Sequence, residues 1–320
     1  MSEAAATFAC FGAKCSVRVL GDAPGSTAAE AVEFAQRRLL GWHQRFTRFD
    51  PGSELSRLNA DPAEEVRVSA VMAQFVEAVI AAARHTNGLV DATLLHDIEA
   101  AGYRSDLRAS LPLEIALGLA PARRPAAARP NGAWHDVAVD RLAQTVTRPP
   151  GVAFDSGGIA KGLLADILGR QLAAHRSFAV DCAGDLLLGG TGTIARNVDV
   201  ASPFGDGTLE RFALAAGGVA TSGIGRRSWL DADGRPAHHL LDPATGRPAF
   251  TGIVQVTALA PLALTAEIRS KAALLSGPDE ARDQLPDGGV IVYDDGRHEL
   301  LSPRSTEGTS DASFRAAAAA

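Results

Sequence analysis

Lysine is almost missing from this chain. Across 320 residues it occurs only at Lys14, Lys161 and Lys271, and arginine carries the remaining positive charge. With a net charge of −6 and no basic stripe, the composition points away from nucleic acid as a partner. The 3 cysteines, Cys10, Cys15 and Cys182, are too few for a disulfide scaffold, although one bridge stays open. Their spacing also lacks the Cys-x-x-Cys pattern of a structural zinc site. No apolar run is long enough to span a bilayer, and the N-terminus lacks a basic segment followed by a sustained apolar one. No lipidation motif is visible either. The chain as it stands is therefore expected in the cytoplasm without a membrane span, while a leader already removed would leave no trace. A Walker loop, a dinucleotide Gly-x-Gly-x-x-Gly and any internal repeat are likewise absent.

Against that background the two later lysines stand out. Lys161 lies in Asp155-Ser156-Gly157-Gly158-Ile159-Ala160-Lys161-Gly162, which follows a short apolar, strand-like segment containing Val152 and Phe154. Ile159, Leu163, Ile167 and Leu168 then recur at helical spacing. Glycines allow a backbone to approach a ligand closely, and the first turn of a helix offers unpaired N–H groups to an anion. A cation in that first turn is disfavoured by the helix dipole unless it faces a bound anion such as a phosphate. Read alone, the stretch is either a phosphate cradle or a glycine-rich turn bearing a solvated lysine.

Along the rest of the chain, Phe8 to Leu20 reads as a strand ending at Gly21-Asp22. Thr27 and Glu30 have capping-box spacing and open a helix expected to run to about Phe46. The segment from Phe46 to Asn59 reads as a polar loop turning at Asp50-Pro51-Gly52. Ser69 caps a second helix, which Gly88 closes. Asp91, just beyond, reads as a cap or a ligand contact. Residues 120–132, rich in Pro, Ala and Arg, are expected to form an exposed loop. A hairpin is expected from Val137–Val139 and Thr145–Thr147, and strands at Phe178–Asp181, Leu186–Leu188, Val198–Val200, Phe212–Leu214 and Ile253–Leu259. Asp233-Gly234 turns into a return strand at Ala237–Pro243, and Thr265–Leu275 forms a short helix with Glu267 and Lys271 on one face. Val290–Tyr293 pairs with Leu300-Leu301, and the alanine-rich end has no pattern.

Several of these segments, in order, resemble the ApbE family of flavin transferases, also called FAD:protein FMN transferases. The resemblance rests on Phe46–Asn59, on Thr86–Leu94 (TNGLVDATL) and on Asp155–Gly162 (DSGGIAKG). It continues through Asp181–Asp185 (DCAGD), Ala220–Gly223 (ATSG), His239–Pro248 (HLLDPATGRP) and Ala266–Gly277 (AEIRSKAALLSG). It implies an α+β fold, with mixed sheets flanked by helices and a flavin cleft between two intertwined lobes. A single domain over residues 1–305 and a disordered tail over 306–320 complete that expectation.

The resemblance further implies FAD as substrate, transfer of its FMN half to a threonine of an acceptor protein, and release of AMP. Family acceptors carry a motif like Asp-x-x-Ser/Thr-Gly-Ala-Thr. Carried over by position, Phe11, Phe49, Leu89, Val90, Asp91, Asp155, Lys161, Thr221, Ser222 and His239 are the expected FAD contacts. Lys161 and His239 are the expected catalytic residues. A neutral His239 accepts the threonine proton, unless it is a strand histidine that hydrogen-bonds only locally. Mg2+ is the ion the family uses, and here its ligands would include the Gly158 carbonyl and Glu267. Lys271 stands where the family commonly has a threonine ligand, and an ammonium has no lone pair to give a metal. Either the ion is held by fewer protein ligands or Lys271 takes its place. FAD hydrolysis to FMN and AMP, or FAD binding without catalysis, are the alternatives to transfer.

Overall fold

The computed structural model describes residues 2–304 apart from 106 and 108. The expected tail at 306–320 lies outside the described residues. An 8-stranded sheet runs in chain order through Glu3–Cys10, Ala13–Leu20, Ser177–Cys182, Asp185–Gly189, Gly217–Gly223, Ile253–Ala260, Gly289–Tyr293 and His298–Leu301. Each neighbouring pair in it is antiparallel. The α+β class holds, with the helices flanking this sheet.

Two of its hairpins turn on adjacent residues with positive φ, Phe11 (53°) with Gly12 (72°) and Ala183 (59°) with Gly184 (99°). Such turns match the twist of the flanking strands. A bulky residue such as Phe11 adopts that backbone region only when its surroundings hold it there.

Among the described residues seven α-helices flank the strands: α1 (Ala28–Phe46), α2 (Glu54–Ala60), α3 (Ala70–His85), α4 (Leu95–Ala100), α5 (Leu113–Gly118), α6 (Ala160–Leu172) and α7 (Ala263–Ser276). The Thr27–Glu30 capping box closes as expected, with Thr27 N–H donating to Glu30 at 2.8 Å and Glu30 N–H to the Thr27 hydroxyl at 3.2 Å. Ser69 accepts from Met72 N–H at 3.3 Å. One core joins α1, α3 and α6 to the first strands, through residues such as Leu39, Phe46, Phe75, Val79, Leu164 and Leu168. A second gathers under the last strands around Leu240, Phe250, Val256, Leu274 and Ile291.

Helix α7 belongs to both cores: Leu264 and Ile268 enter the first, Leu274 and Leu275 the second. Thirteen of its 14 residues are therefore buried, the exception being Lys271. A helix buried all round shows little amphipathic pattern, so the expected short helix at Thr265–Leu275 is longer than the sequence suggests.

Helices α6 and α7 meet closely. A Cβ on Gly162 would stand 2.7 Å from both the Ala263 carbonyl oxygen and the Leu264 Cα. Only a glycine allows that approach.

Several local expectations change. The supposed loop at Phe46–Asn59 contains α2, capped by Ser53, whose hydroxyl accepts from Ser56 N–H at 3.0 Å. Val152 and Phe154 are not in a strand; Phe154 is instead a fully buried extended residue held by Asn59. The Asn59 amide donates to the Phe154 carbonyl at 2.9 Å and accepts its N–H at 2.8 Å, a substitute for a neighbouring strand. The exposed 120–132 segment is tied down by backbone bonds from Arg124 to Phe250 at 3.0 Å and from Ala126 to Leu275 at 2.9 Å. The return strand at Ala237–Pro243 divides into Pro236–His238 and Leu241-Asp242, which pair with different partners. His239 falls in the break.

Candidate active site

A cleft with two arms opens where α6, α7 and the loop around His239 meet. A narrow inner arm of about 70 Å³ is lined by Leu89, Val90, Asp91, Leu241, Lys271 and their neighbours. A wider outer arm of about 610 Å³ is lined by Phe11, His43, Arg48, Phe49, Tyr103, Lys161, Arg227 and others. Ile98, Asp155, Gly157 and His239 border both, so the arms share one junction.

Asp155 is positioned from both sides. Its backbone N–H donates to the Ala92 carbonyl at 2.8 Å, and its carboxylate accepts from Gly157 N–H at 3.1 Å. The Arg48 guanidinium approaches that carboxylate to 3.3 Å and donates to the Tyr103 carbonyl at 2.7 Å. It also lies over the Phe49 ring at 4.4 Å and the Tyr103 ring at 4.6 Å, and Tyr103 stacks on Trp229 at 5.3 Å. Planar, delocalised and always charged, arginine suits that sandwich in a way lysine does not. Phe11 packs edge-on against His43 at 5.4 Å, and its carbonyl accepts from Arg227 at 3.2 Å.

On the inner arm, one Asp91 oxygen accepts from the Thr93 N–H at 2.8 Å and hydroxyl at 2.6 Å. The other is buried and has no hydrogen-bond partner. Burial holds the Asp91 carboxyl above its ordinary pKa. Asp91 is thus a local cap whose second oxygen is buried unpartnered behind the wall of the inner arm.

His239 Nδ1 lies 3.4 Å from the Arg227 carbonyl oxygen. A carbonyl only accepts, so Nδ1 carries the proton and Nε2 keeps its lone pair. Burial first, then the nearby Arg227 charge, holds the His239 pKa well below the ordinary histidine value. Its neighbour His238 is fully buried, packs edge-on against Phe250 at 4.8 Å, and belongs to the core.

Lys161 forms an ion pair with Asp185 and lies 3.8 Å from Glu267. Burial works against its charge, but Asp185 and Glu267 hold its pKa above the ordinary lysine value. Glu267 accepts from Gly162 N–H at 2.9 Å, and its other oxygen is buried without a hydrogen-bond partner. Burial raises its pKa to about 7. Glu267 therefore turns to α6 and Lys161, although Lys271 lies one turn on along the same helix. The Lys271 Cε lies 2.8 Å, and its Nζ 3.3 Å, from where a Gly158 Cβ would sit.

Thr221 and Ser222 do not line the two arms. The Thr221 hydroxyl meets that of Thr257 at 2.8 Å, and Ser222 meets Ser270 of α7 at 2.8 Å. They tie the strand to its neighbours.

The fit of these residues to Mg2+ is poor. A magnesium ion wants oxygen ligands in near-octahedral array. Here the Lys271 side chain packs against the Cα of Gly158, one Glu267 oxygen accepts from a backbone N–H while the other lies 3.8 Å from the Lys161 ammonium, and Asp185 is held by Lys161. Among the described residues no group of three His, Cys, Asp or Glu is arranged to hold a metal ion.

The ApbE family profile matches residues 11–292, nearly the whole described chain. The chain belongs to the ApbE family. A relative in Salmonella typhimurium, called FAD:protein FMN transferase, is 26% identical over 234 residues, which is 71% of this chain and 65% of that protein. One of the same name in Treponema pallidum is 32% identical over 164 residues, covering 47% and 43%. The chain thus spans less than two thirds of those relatives' lengths. The crystal structure of the ApbE protein from Thermotoga maritima superposes with a TM-score of 0.74 at 27% identity, covering 94% of this chain and 97% of that one. The flavin transferase ApbE from Vibrio cholerae, at 18% identity and a TM-score of 0.69, shares the fold. No helix among the described residues is long and apolar enough to cross a membrane.

Within this ApbE-family cleft the sequence reading missed Arg48, Tyr103, Arg227 and Asp185. Arg48 and Asp185 lie inside the family-like motifs, and a charged residue within such a motif was the available signal. Tyr103 and Arg227 sit in segments without pattern and reach the cleft only through tertiary packing.

Proposed function

We propose that this ApbE-family chain is an FAD:protein FMN transferase. It moves the FMN half of FAD onto a threonine hydroxyl of an acceptor protein, whose site resembles Asp-x-x-Ser/Thr-Gly-Ala-Thr, and releases AMP. The observation that carries this reading is the placement of His239 at the junction of the two arms, with Nδ1 3.4 Å from the Arg227 carbonyl oxygen, which makes Nε2 the basic nitrogen of the ring. A depressed pKa keeps that nitrogen unprotonated at neutral pH, as a general base requires.

Leu89 and Val90 give the inner arm apolar walls against which the edge of the flavin ring packs, and the buried second oxygen of Asp91 is the acceptor for a ring N–H. Phe11 and Phe49 border the outer arm, where Asp155 holds Arg48 against the aromatic stack. Thr221 and Ser222 act at a distance by setting α7 against the sheet. Lys161 and Lys271 bring positive charge toward the pyrophosphate, stabilising negative charge as it shifts toward the leaving AMP.

The threonine oxygen attacks the FMN-side phosphorus, and the bond from that phosphorus to the bridging oxygen breaks. The electron pair leaves with AMP, and the threonine proton passes to His239 Nε2. With water in place of threonine, the same site would give FMN and AMP.

The test is incubation with FAD and an acceptor carrying the motif, reading AMP release and protein-bound flavin fluorescence together. Transfer gives both in equal amounts. AMP without bound flavin would mean hydrolysis, and neither, with FAD still bound, would mean a binding protein.

A further inference from the structure

The α6–α7 junction brings four charges together. Lys161 and Lys271 bring two ammonium groups, and Asp185 and Glu267 bring two carboxylates. Lys161 takes both carboxylates as partners, pairing with Asp185 and lying 3.8 Å from Glu267. That leaves Lys271 with no carboxylate within ion-pairing distance among the described residues. It is also the one residue of α7 that is not fully buried, and it borders the inner arm beside Asp155, Gly158 and His239. A half-buried ammonium with carboxylates nearby but none in direct contact, at a cavity wall, can take an anion as its partner.

The same geometry sets the Lys271 ammonium against Gly158, beside the expected metal position. The Lys271 Cε and Nζ stand 2.8 and 3.3 Å from the position of a Gly158 Cβ, so the side chain lies directly over that glycine. An ammonium offers three donors and no acceptor, which suits phosphoryl oxygens and repels a metal. We propose that the Lys271 ammonium is the resident cation of this junction, so that the cleft binds a pyrophosphate-bearing ligand without a divalent metal. The ligand named here, FAD, rests on the flavin-transfer reading; the exclusion of a divalent ion does not.

Two measurements on the full chain test this independently. Mn2+ uptake is followed by electron paramagnetic resonance with FAD present and absent, and FAD binding by fluorescence quenching in EDTA and in MgCl2. The parent is expected to take up no stoichiometric Mn2+ and to bind FAD equally in EDTA and MgCl2. Lys271→Met should weaken FAD roughly tenfold or more in EDTA, the loss of a charge-assisted phosphate contact, while riboflavin binding changes little. Lys271→Asp, once its fold is verified by circular dichroism, should gain one bound Mn2+. One equivalent of Mn2+ on the parent, released by Glu267→Gln, would overturn the proposal. So would loss of parent FAD binding in EDTA, or unchanged FAD affinity in Lys271→Met. If FAD binds under no condition, the flavin reading fails by itself; the proposal then stands if Mn2+ binds only to Lys271→Asp and falls if it binds to the parent.

Discussion

Asp166 and Glu267 cap each other's helices. From α6, the Asp166 carboxylate accepts from Ala263 N–H at 2.8 Å and Leu264 N–H at 3.0 Å, closing the start of α7. From α7, Glu267 accepts from Gly162 N–H at 2.9 Å in the first turn of α6. Each carboxylate satisfies backbone donors that its partner's helix leaves open. The exchange fixes the two helices that border the cleft, and with them Lys161 and Lys271.

The Asp166 carboxyl should leave a mark on stability against pH. Burial raises its pKa from 3.8 to about 7. An acid whose folded pKa is raised contributes stability that is fully present below the unfolded value and lost as pH rises through the folded one. The cost of Asp166→Asn, read from urea denaturation, should therefore be largest near pH 4 and shrink toward pH 7. A cost that grows with pH would mean that the two N–H groups favour the anion more than burial opposes it.

Gly162→Ala tests the closeness of α6 and α7. Alanine is favoured over glycine inside a helix by about 1 kcal/mol. Its Cβ, however, would stand 2.7 Å from backbone atoms of Ala263 and Leu264, which cannot rotate away. Overpacking of this kind costs about 1–3 kcal/mol or more, so a net loss of stability is expected. Thermal unfolding measures it; a variant as stable as the parent would show that the helices have room to separate.

His239→Ala should lower flavin transfer by roughly 10²–10⁴-fold, the range for a positioned general base, while FAD binding changes little. Because the His239 pKa lies well below 6.5, the base form prevails at neutral pH, and any acid limb of the parent rate should lie below that value. Stopped assays of protein-bound flavin from pH 5 to 8 would read both. A parent rate that falls on acidification near pH 7, or a variant at the parental rate, would remove His239 from the role of base.

Much of the scaffold could be read before folding was considered. The Thr27–Glu30 box, the Ser69 cap and the hairpins through Cys182–Asp185 and Asp295-Gly296 rely on neighbours in sequence, and they form as expected. What escaped were elements whose partners lie far along the chain. Helices α4 and α5 are short and patternless, and the extended Phe154 segment is completed by Asn59, 95 residues away.

For the cleft, the sequence by itself determined which chemical groups are present, and it arranged the family-like motifs in order. Local patterns carry that information because caps, turns and helical periodicity act within a few residues. Tertiary structure decided what each group does. It gave the Lys161 charge to Asp185, turned Glu267 into a cap for α6, and broke a strand so that His239 faces the junction. It also left Lys271 as the cation without a carboxylate partner among the described residues. Charges pair with whatever packing brings within a few ångströms, and burial decides how strongly, so no spacing along the chain could have assigned them.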